Sequence, residues 1–221
     1  MNNVVEIIGV SKSFGSHVVL DNVSLKVEVG ENMVVFGQSG TGKSVLLKCI
    51  VRLLEPDSGE IFIEGTDVLK LQIKELNEIR KQLGFLFQGA ALYDSMSVKE
   101  NLEFPLIRHF NFTPKEREEK VKSVLEKVSL EEAINKMPSE LSGGMKKRIG
   151  LARSIIAEPK LMLYDEPTTG LDPITSKEIS SLILELQKSL KMTSIVVTHD
   201  LLCAEIIADR AIVLNEGAVQ H

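Results

Sequence analysis

The chain has 221 residues, 43% hydrophobic and 26% charged, a balance that suits one globular domain or a core carrying a subdomain. Its formal net charge of −5 argues against a surface that coats nucleic acid. No apolar run approaches a membrane span, and Glu6 and Lys12 interrupt any signal-peptide core, so a cytoplasmic protein is expected. Cys49 and Cys203 lie far apart with no Cys/His cluster, which predicts two buried, reduced thiols.

Segments 4–10 and 18–29 read as strands joined by a turn at Phe14, Gly15 and Ser16. Leu20, Val23, Leu25, Val27 and Val29 largely alternate, as in an antiparallel hairpin with one buried face. A short apolar strand at 32–36 then leads into Gly37, Gln38, Ser39, Gly40, Thr41, Gly42, Lys43 and Ser44. An apolar helix reaching to about Leu54 follows. This stretch fits the P-loop pattern at every fixed position, in the strand–loop–helix context the pattern requires. Glycines let consecutive N–H groups point at an anion, and the helix N-terminus adds partial positive charge. Lys43 is expected to reach the β- and γ-phosphates, and the Ser44 hydroxyl to ligate Mg²⁺. A nucleoside triphosphate is therefore the expected ligand.

A turn at 56–59 precedes a strand at 61–63, a helix at 73–82 and a buried strand at 83–87 that ends at Gln88. The Gln88 amide can bond the metal or the lytic water. The character then changes. Segment 98–109 looks helical but interrupted by Pro105. Thr113, Pro114 and Glu116 make a capping box with Pro at the first helical position. Val121, Val124, Leu125 and Val128 share one helical face, with Glu116–Lys120 and Glu118–Lys122 pairs on the exposed side. These features predict a helical subdomain inserted into an α/β core. Ser142, Gly143, Gly144 and Met145 open a further amphipathic helix, whose exposed N–H groups form either a second anion site or a simple cap. One chain cannot easily bring both anion sites to one nucleotide, so two chains are expected to share them.

The apolar strand at 161–164 ends in Asp165 and Glu166 and resembles a Walker B strand. Asp165 would organise Mg²⁺, and Glu166 would orient and deprotonate the attacking water; the plainer reading is a solvated acidic turn before Pro167. Ile179, Leu182, Ile183 and Leu186 mark an amphipathic helix. The strand at 195–197 reaches His199, a candidate γ-phosphate contact because ligands gather at strand C-termini. A helix at 204–208, a strand at 211–214 and a hairpin turn at Glu216 and Gly217 finish the chain. Strands alternating with helices predict a mostly parallel sheet covered on both faces.

In joint order and spacing these motifs resemble the nucleotide-binding subunit of an ABC transporter over essentially the whole chain. The resemblance implies an α/β fold: a P-loop NTPase (RecA-like) core with a mostly parallel sheet, an antiparallel β subdomain and an inserted α-helical subdomain. It implies a single domain over 1–221, with 1–88 and 158–221 forming the core and β subdomain and 89–157 the helical part. It assigns Gln88 to the Q-loop, 141–145 to the signature, 161–166 to Walker B, Asp172 to the D-loop and His199 to the switch histidine. Phe14 sits where the family stacks an aromatic on adenine. ATP and Mg²⁺, a homodimer, membrane permease subunits and a place on the cytoplasmic face of the inner membrane follow from the same resemblance, with no nucleic-acid partner. Met145 departs from the family's common Gln, and with Lys146, Lys147 and Arg148 it is similar to ATPases of Mla-type phospholipid transporters, which work with Mce-domain proteins. Segments 87–93, 138–141 and 172–175 point to the same group. The same engine serving an amino-acid or ion importer is the nearest alternative. A soluble cassette acting on ribosomes or DNA ranks below it, and a P-loop kinase ranks last.

Overall fold

The computed structural model describes residues 3–220. In chain order the strands and helices begin with β1 (Asn3–Phe14), β2 (His17–Glu28), β3 (Asn32–Phe36), α1 (Lys43–Ile50), β4 (Ser58–Ile63), β5 (Thr66–Asp67), α2 (Ile73–Arg80) and β6 (Leu83–Leu86). The helical stretch follows with α3 (Val98–His109), α4 (Pro114–Lys127) and α5 (Gly143–Ile155). The chain then runs through β7 (Leu161–Asp165), α6 (Pro173–Leu190), β8 (Thr193–Thr198), α7 (Leu201–Ile207), β9 (Arg210–Asn215) and β10 (Ala218–Gln220).

Two sheets result. One is four-stranded and antiparallel, in the order β2-β1-β4-β5. The other has six strands in the order β10-β9-β3-β8-β7-β6, parallel except for the terminal β9–β10 hairpin. β3, β7 and β8 are short apolar runs buried along nearly their whole length, as a sheet covered on both faces demands. Their register sorts the side chains. Val34 pairs with Val196, which pairs with Tyr164; all three belong to the core shared with the helices α3 to α7. Met33, Ile195 and Leu163 pair in the same way and belong to the opposite core, with α1 and the antiparallel sheet.

Local expectations hold to within a few residues at element ends, β1 running on to Phe14 and α7 beginning at Leu201, and four further points are corrected. The helix after the P-loop stops at Ile50, not near Leu54, because Arg52 adopts a left-handed φ of 52° and its guanidinium is tied to the Val68 and Leu71 carbonyls. Val29 is exposed, since β2 ends at Glu28 and the chain turns at Gly30. Pro105 does not interrupt α3; the fully buried face of Val98, Leu102 and Leu106 outweighs the one helical hydrogen bond that proline cannot make. Lys120 pairs with Glu158 at 2.7 Å and lies over the Phe112 ring, not with Glu116, whereas the Glu118–Lys122 pair forms as expected. The Thr113–Glu116 capping box is present, and Ser97 with Glu100 makes a second. Cys49 and Cys203 are buried free thiols, each pushed up to about 11 by burial.

Asn101 shows how the entry to the helical stretch is held. It is fully buried on α3, and its amide nitrogen donates to the Tyr93, Met96 and Ser97 carbonyls while its oxygen accepts from the Tyr93 N–H at 2.8 Å. Asn101→Ala strips four main-chain partners at once and should cost about 1–3 kcal/mol of unfolding free energy in a urea titration. A loss below roughly 0.5 kcal/mol, the range of surface changes, would show that the loop is held elsewhere.

Candidate active site

The parallel strands end on one edge of the sheet, and each end delivers a polar group. β3 ends in the glycine loop, β8 in Thr198 and His199, β7 in Asp165 and Glu166, and β6 two residues before Gln88. Between them lies a cleft of about 450 Å³ lined by Ser39, Gly40, Gly42, Lys43, Ser44, Gln88, Glu166, Thr169 and His199, closed on one side by Val19 of β2. The loop geometry requires glycine. Gly42 has φ +99°, and a Cβ there would meet the Val19 carbonyl oxygen at 2.5 Å.

Glu166 is the hub. It is buried with a left-handed φ of 49°, a conformation that costs a non-glycine residue about 1–2 kcal/mol, and its N–H is anchored to the Val197 carbonyl at 2.9 Å. One carboxylate oxygen lies 3.2 Å from the Lys43 ammonium. The other lies 2.8 Å from Nδ1 of His199 and also accepts from the Thr169 hydroxyl and the His199 N–H at 3.3 Å. Lys43 donates as well to the Gly37 and Gln38 carbonyls at 2.7 and 2.8 Å, so one ammonium ties loop to strand end. Beside them the Ser44 hydroxyl donates to Asp165 at 2.6 Å. Ser44, Asp165 and Gln88 offer oxygen donors only. A small set of hard oxygen ligands fits Mg²⁺, which keeps waters and substrate phosphates as its other ligands.

Other candidate residues lie apart from this cleft. Phe14 is half exposed at the β1–β2 turn, 5.6 Å from the Lys12 ammonium, and is not among the lining residues; Val19 is. Ser142 caps α5, its hydroxyl accepting from the Met145 N–H at 3.2 Å, and Met145 packs on the helical core. Gly144 meets Thr175, against whose side chain a Cβ would close to 2.8 Å. Thr175 in turn is bound to Asp172, which caps α6 through the Ile174 and Thr175 N–H groups. The signature residues and Asp172 therefore sit side by side, away from the lined cleft of their own chain.

Three contributors escape pattern reading. Val19 comes from the distant hairpin. Lys147 is a buried cation whose role depends on tertiary contacts with the Gln88 and Glu166 carbonyls. Arg153 holds the Ala90 and Ala91 carbonyls at 3.0 and 2.8 Å; a cation late in an amphipathic helix gives no such signal. Next to Gln88, a second cavity of about 410 Å³ is walled by Phe85, Phe87, Tyr93, Phe104, Pro105 and Arg153. The Phe85 and Phe87 rings stack at 4.2 Å, and Tyr93 is 45% exposed on its rim.

Comparison with known proteins places this geometry. Residues 20–169 match the ABC transporter family model. The chain is 42% identical over 209 residues to the probable ribonucleotide transport ATP-binding protein mkl of Mycobacterium leprae, covering 95% of this chain and 60% of that one. It is 42% identical over 217 residues to the intermembrane phospholipid transport system ATP-binding protein MlaF of Haemophilus influenzae, covering 98% and 82%. It is 41% identical over 201 residues to the methionine import ATP-binding protein MetN of Carboxydothermus hydrogenoformans, covering 90% and 59%. The chain thus spans about 60% of the length of mkl and MetN. A dimeric ATP-binding cassette, MJ0796, solved in a post-hydrolysis state bound to ADP and Pi, superposes with a TM-score of 0.89 at 34% identity, over 98% of this chain and 97% of that one. By motif geometry, sequence and fold together, the chain belongs to the ABC transporter family, in its ATP-binding cassette.

Proposed function

We propose that the chain is the ATP-hydrolysing subunit of an ABC transporter and that it energises phospholipid movement through membrane partner subunits. The observation that carries the ATPase reading is the convergence of Lys43, Ser44, Asp165, Glu166 and His199 around one cleft. Incoming phosphate oxygens would replace the Gly37, Gln38 and Glu166 oxygens now bound to Lys43. Freed of that pair, Glu166 would accept a proton from the water whose oxygen attacks the γ-phosphorus. The bond to the β–γ bridging oxygen breaks, and ADP and phosphate result. His199 orients the carboxylate and reaches toward the γ-phosphate. Ser44, Asp165 and the Gln88 amide would hold Mg²⁺, which when bound neutralises charge on the β- and γ-phosphate oxygens. Val19 offers an apolar surface beside the loop, and Phe14 remains the aromatic proposed for adenine.

Residues 1–88 and 158–221 would form the catalytic core of this single domain and 89–157 the part that meets partners. In a symmetric dimer, Ser142, Gly143, Gly144 and Met145 of one chain would face the ATP held by the other's P-loop, with Asp172 near the two-fold axis. The likeness to a dimeric cassette supports that reading. The aromatic cavity beside Gln88 is the proposed seat of the permease, which would keep the subunit at the cytoplasmic face of the inner membrane; no helix among the described residues is long and apolar enough to cross it. The MlaF likeness, together with the resemblance of the Met145 stretch to Mla-type ATPases, favours phospholipid and an Mce-domain partner. The equal identity to mkl and the near-equal identity to MetN keep ribonucleotide transport or methionine import as the second reading. Lipid or small polar solute carried by the purified complex would separate the two.

Glu166→Gln should retain ATP binding and lose turnover on the order of 10²-fold or more, measured by phosphate release alongside nucleotide affinity. Wild-type hydrolysis in that variant would remove Glu166 from the chemistry. Lys43→Ala should instead weaken triphosphate binding itself, and unchanged affinity would count against the P-loop role.

For the docking surface the informative position is Tyr93, because Leu92 packs on the helical core and a charge there would also disturb the fold. Tyr93→Asp should reduce recovery of the membrane complex and substrate transport while basal ATP affinity stays within about three-fold. Normal assembly and transport in Tyr93→Asp would put the permease seat elsewhere.

A further inference from the structure

Helix α5 carries a lysine whose burial the reaction described above does not use. Lys147 is 5% exposed. Its ammonium donates to two main-chain carbonyls, those of Gln88 and, at 3.3 Å, Glu166. These carbonyls lie just past the ends of two strands, β6 and β7, on the two residues proposed to meet metal and water. Burial pushes the ammonium's pKa down, and the charges of Asp165 and Glu166 push it back up. An apolar side chain of the same length would fill this space without the desolvation cost of a cation. The polar head therefore has a use that packing alone does not supply.

The backbone it holds is not relaxed. Glu166 has a left-handed φ of 49°, and Ala90 and Ala91, just after Gln88, have 60° and 51°. Such conformations persist in non-glycine residues only where neighbours hold them. Glu166 is held by the Val197 carbonyl of β8 and the Thr169 N–H as well as by Lys147, whereas the side chains that hold the segment after Gln88 lie on one helix. Arg153 of α5 takes the Ala90 and Ala91 carbonyls. Gly150, between the two cations, lets the helix approach: a Cβ there would meet the Ala90 Cβ at 2.9 Å. Ser142 begins the same helix, so the segment proposed to bind the partner chain's nucleotide is rigidly joined to the clamp.

We propose that Lys147 is a positioning residue that fixes the main chain of Gln88 and Glu166 to one another and to α5, so that a shift of α5 moves both strand ends together. This rests on the ATPase reading above only for the part of its test that measures turnover. The chemical requirement is a donor that reaches two carbonyls at once. Methionine at 147 keeps the stem as far as Cε and removes the donors, whereas glutamine, matched to methionine in length, keeps two N–H donors on one nitrogen.

The experiment compares Lys147→Met and Lys147→Gln with wild type, with turnover counted per molecule that binds a fluorescent ATP analogue, so that loss of folded protein does not register as loss of rate. For Lys147→Met we expect turnover to fall about ten-fold or more with affinity for the analogue within about three-fold, a kcat effect rather than a binding one. We expect amide exchange of segment 88–91, followed without nucleotide, to quicken by about ten-fold. Lys147→Gln should restore most of both. Wild-type turnover and exchange in Lys147→Met would overturn the proposal. Equal impairment of both variants would also overturn it, since that is the mark of a packing defect. If wild-type protein hydrolyses no ATP, the ATPase reading fails, while the exchange measurement still decides whether Lys147 holds the Gln88 segment.

Discussion

The arrangement depends on a charge pair that the low-dielectric interior would not tolerate losing. Lys43 and Glu166 are both nearly buried, and an isolated charge in either position would carry a desolvation penalty of several kcal/mol. Each is therefore surrounded by partners that satisfy it: loop carbonyls for the ammonium, His199 and Thr169 for the carboxylate. Removing either charge leaves the other with its hydrogen-bond partners but without this counter-ion. That pair binds the loop after β3 to the end of β7, with β8 between them in the sheet. The parallel sheet serves this end by bringing its strand termini together on one edge.

The helical stretch is attached to the same place by different means. Its apolar faces share one core with Val34, Met162, Tyr164 and Val196 of the sheet, which fixes where α5 lies. Polar contacts then fix how it lies. Lys147 and Arg153 hold main-chain carbonyls of the segment after β6, and Asn101 holds those of the next loop. The aromatic cavity and the nucleotide cleft are thus separated by a single short segment, 87–93, which contributes to both. Load applied at the cavity has a short covalent path to Gln88.

Much of this is legible in the sequence, for identifiable reasons. The glycine loop, the apolar run before Asp165 and the strand before His199 announce themselves, because backbone geometry and burial restrict the residue types there. The two-sheet division follows from alternation in β2 against unbroken apolar runs in β3, β7 and β8. Local punctuation reads less well. The left-handed turn at Arg52 carries no glycine, and the continuity of α3 through Pro105 depends on buried contacts distant in sequence. The roles of Val19, Lys147 and Arg153 stay hidden because the groups they meet lie far along the chain, which no spacing rule encodes.

The two helix ends proposed to meet phosphate would make one chain half a machine. The P-loop and the start of α5 belong to the same polypeptide, yet the signature residues stand beside Asp172, outside the cleft that the P-loop lines. An ATP bridging two copies would join one end from each, and hydrolysis would remove the shared γ-phosphate. The most direct measurement is light scattering of Glu166→Gln protein with ATP and Mg²⁺, with and without Ser142→Arg. The account predicts an ATP-dependent dimer that Ser142→Arg abolishes by steric block while each chain still binds nucleotide. A dimer that forms equally well in the Ser142→Arg protein would contradict it and reduce the Ser142 stretch to a helix cap.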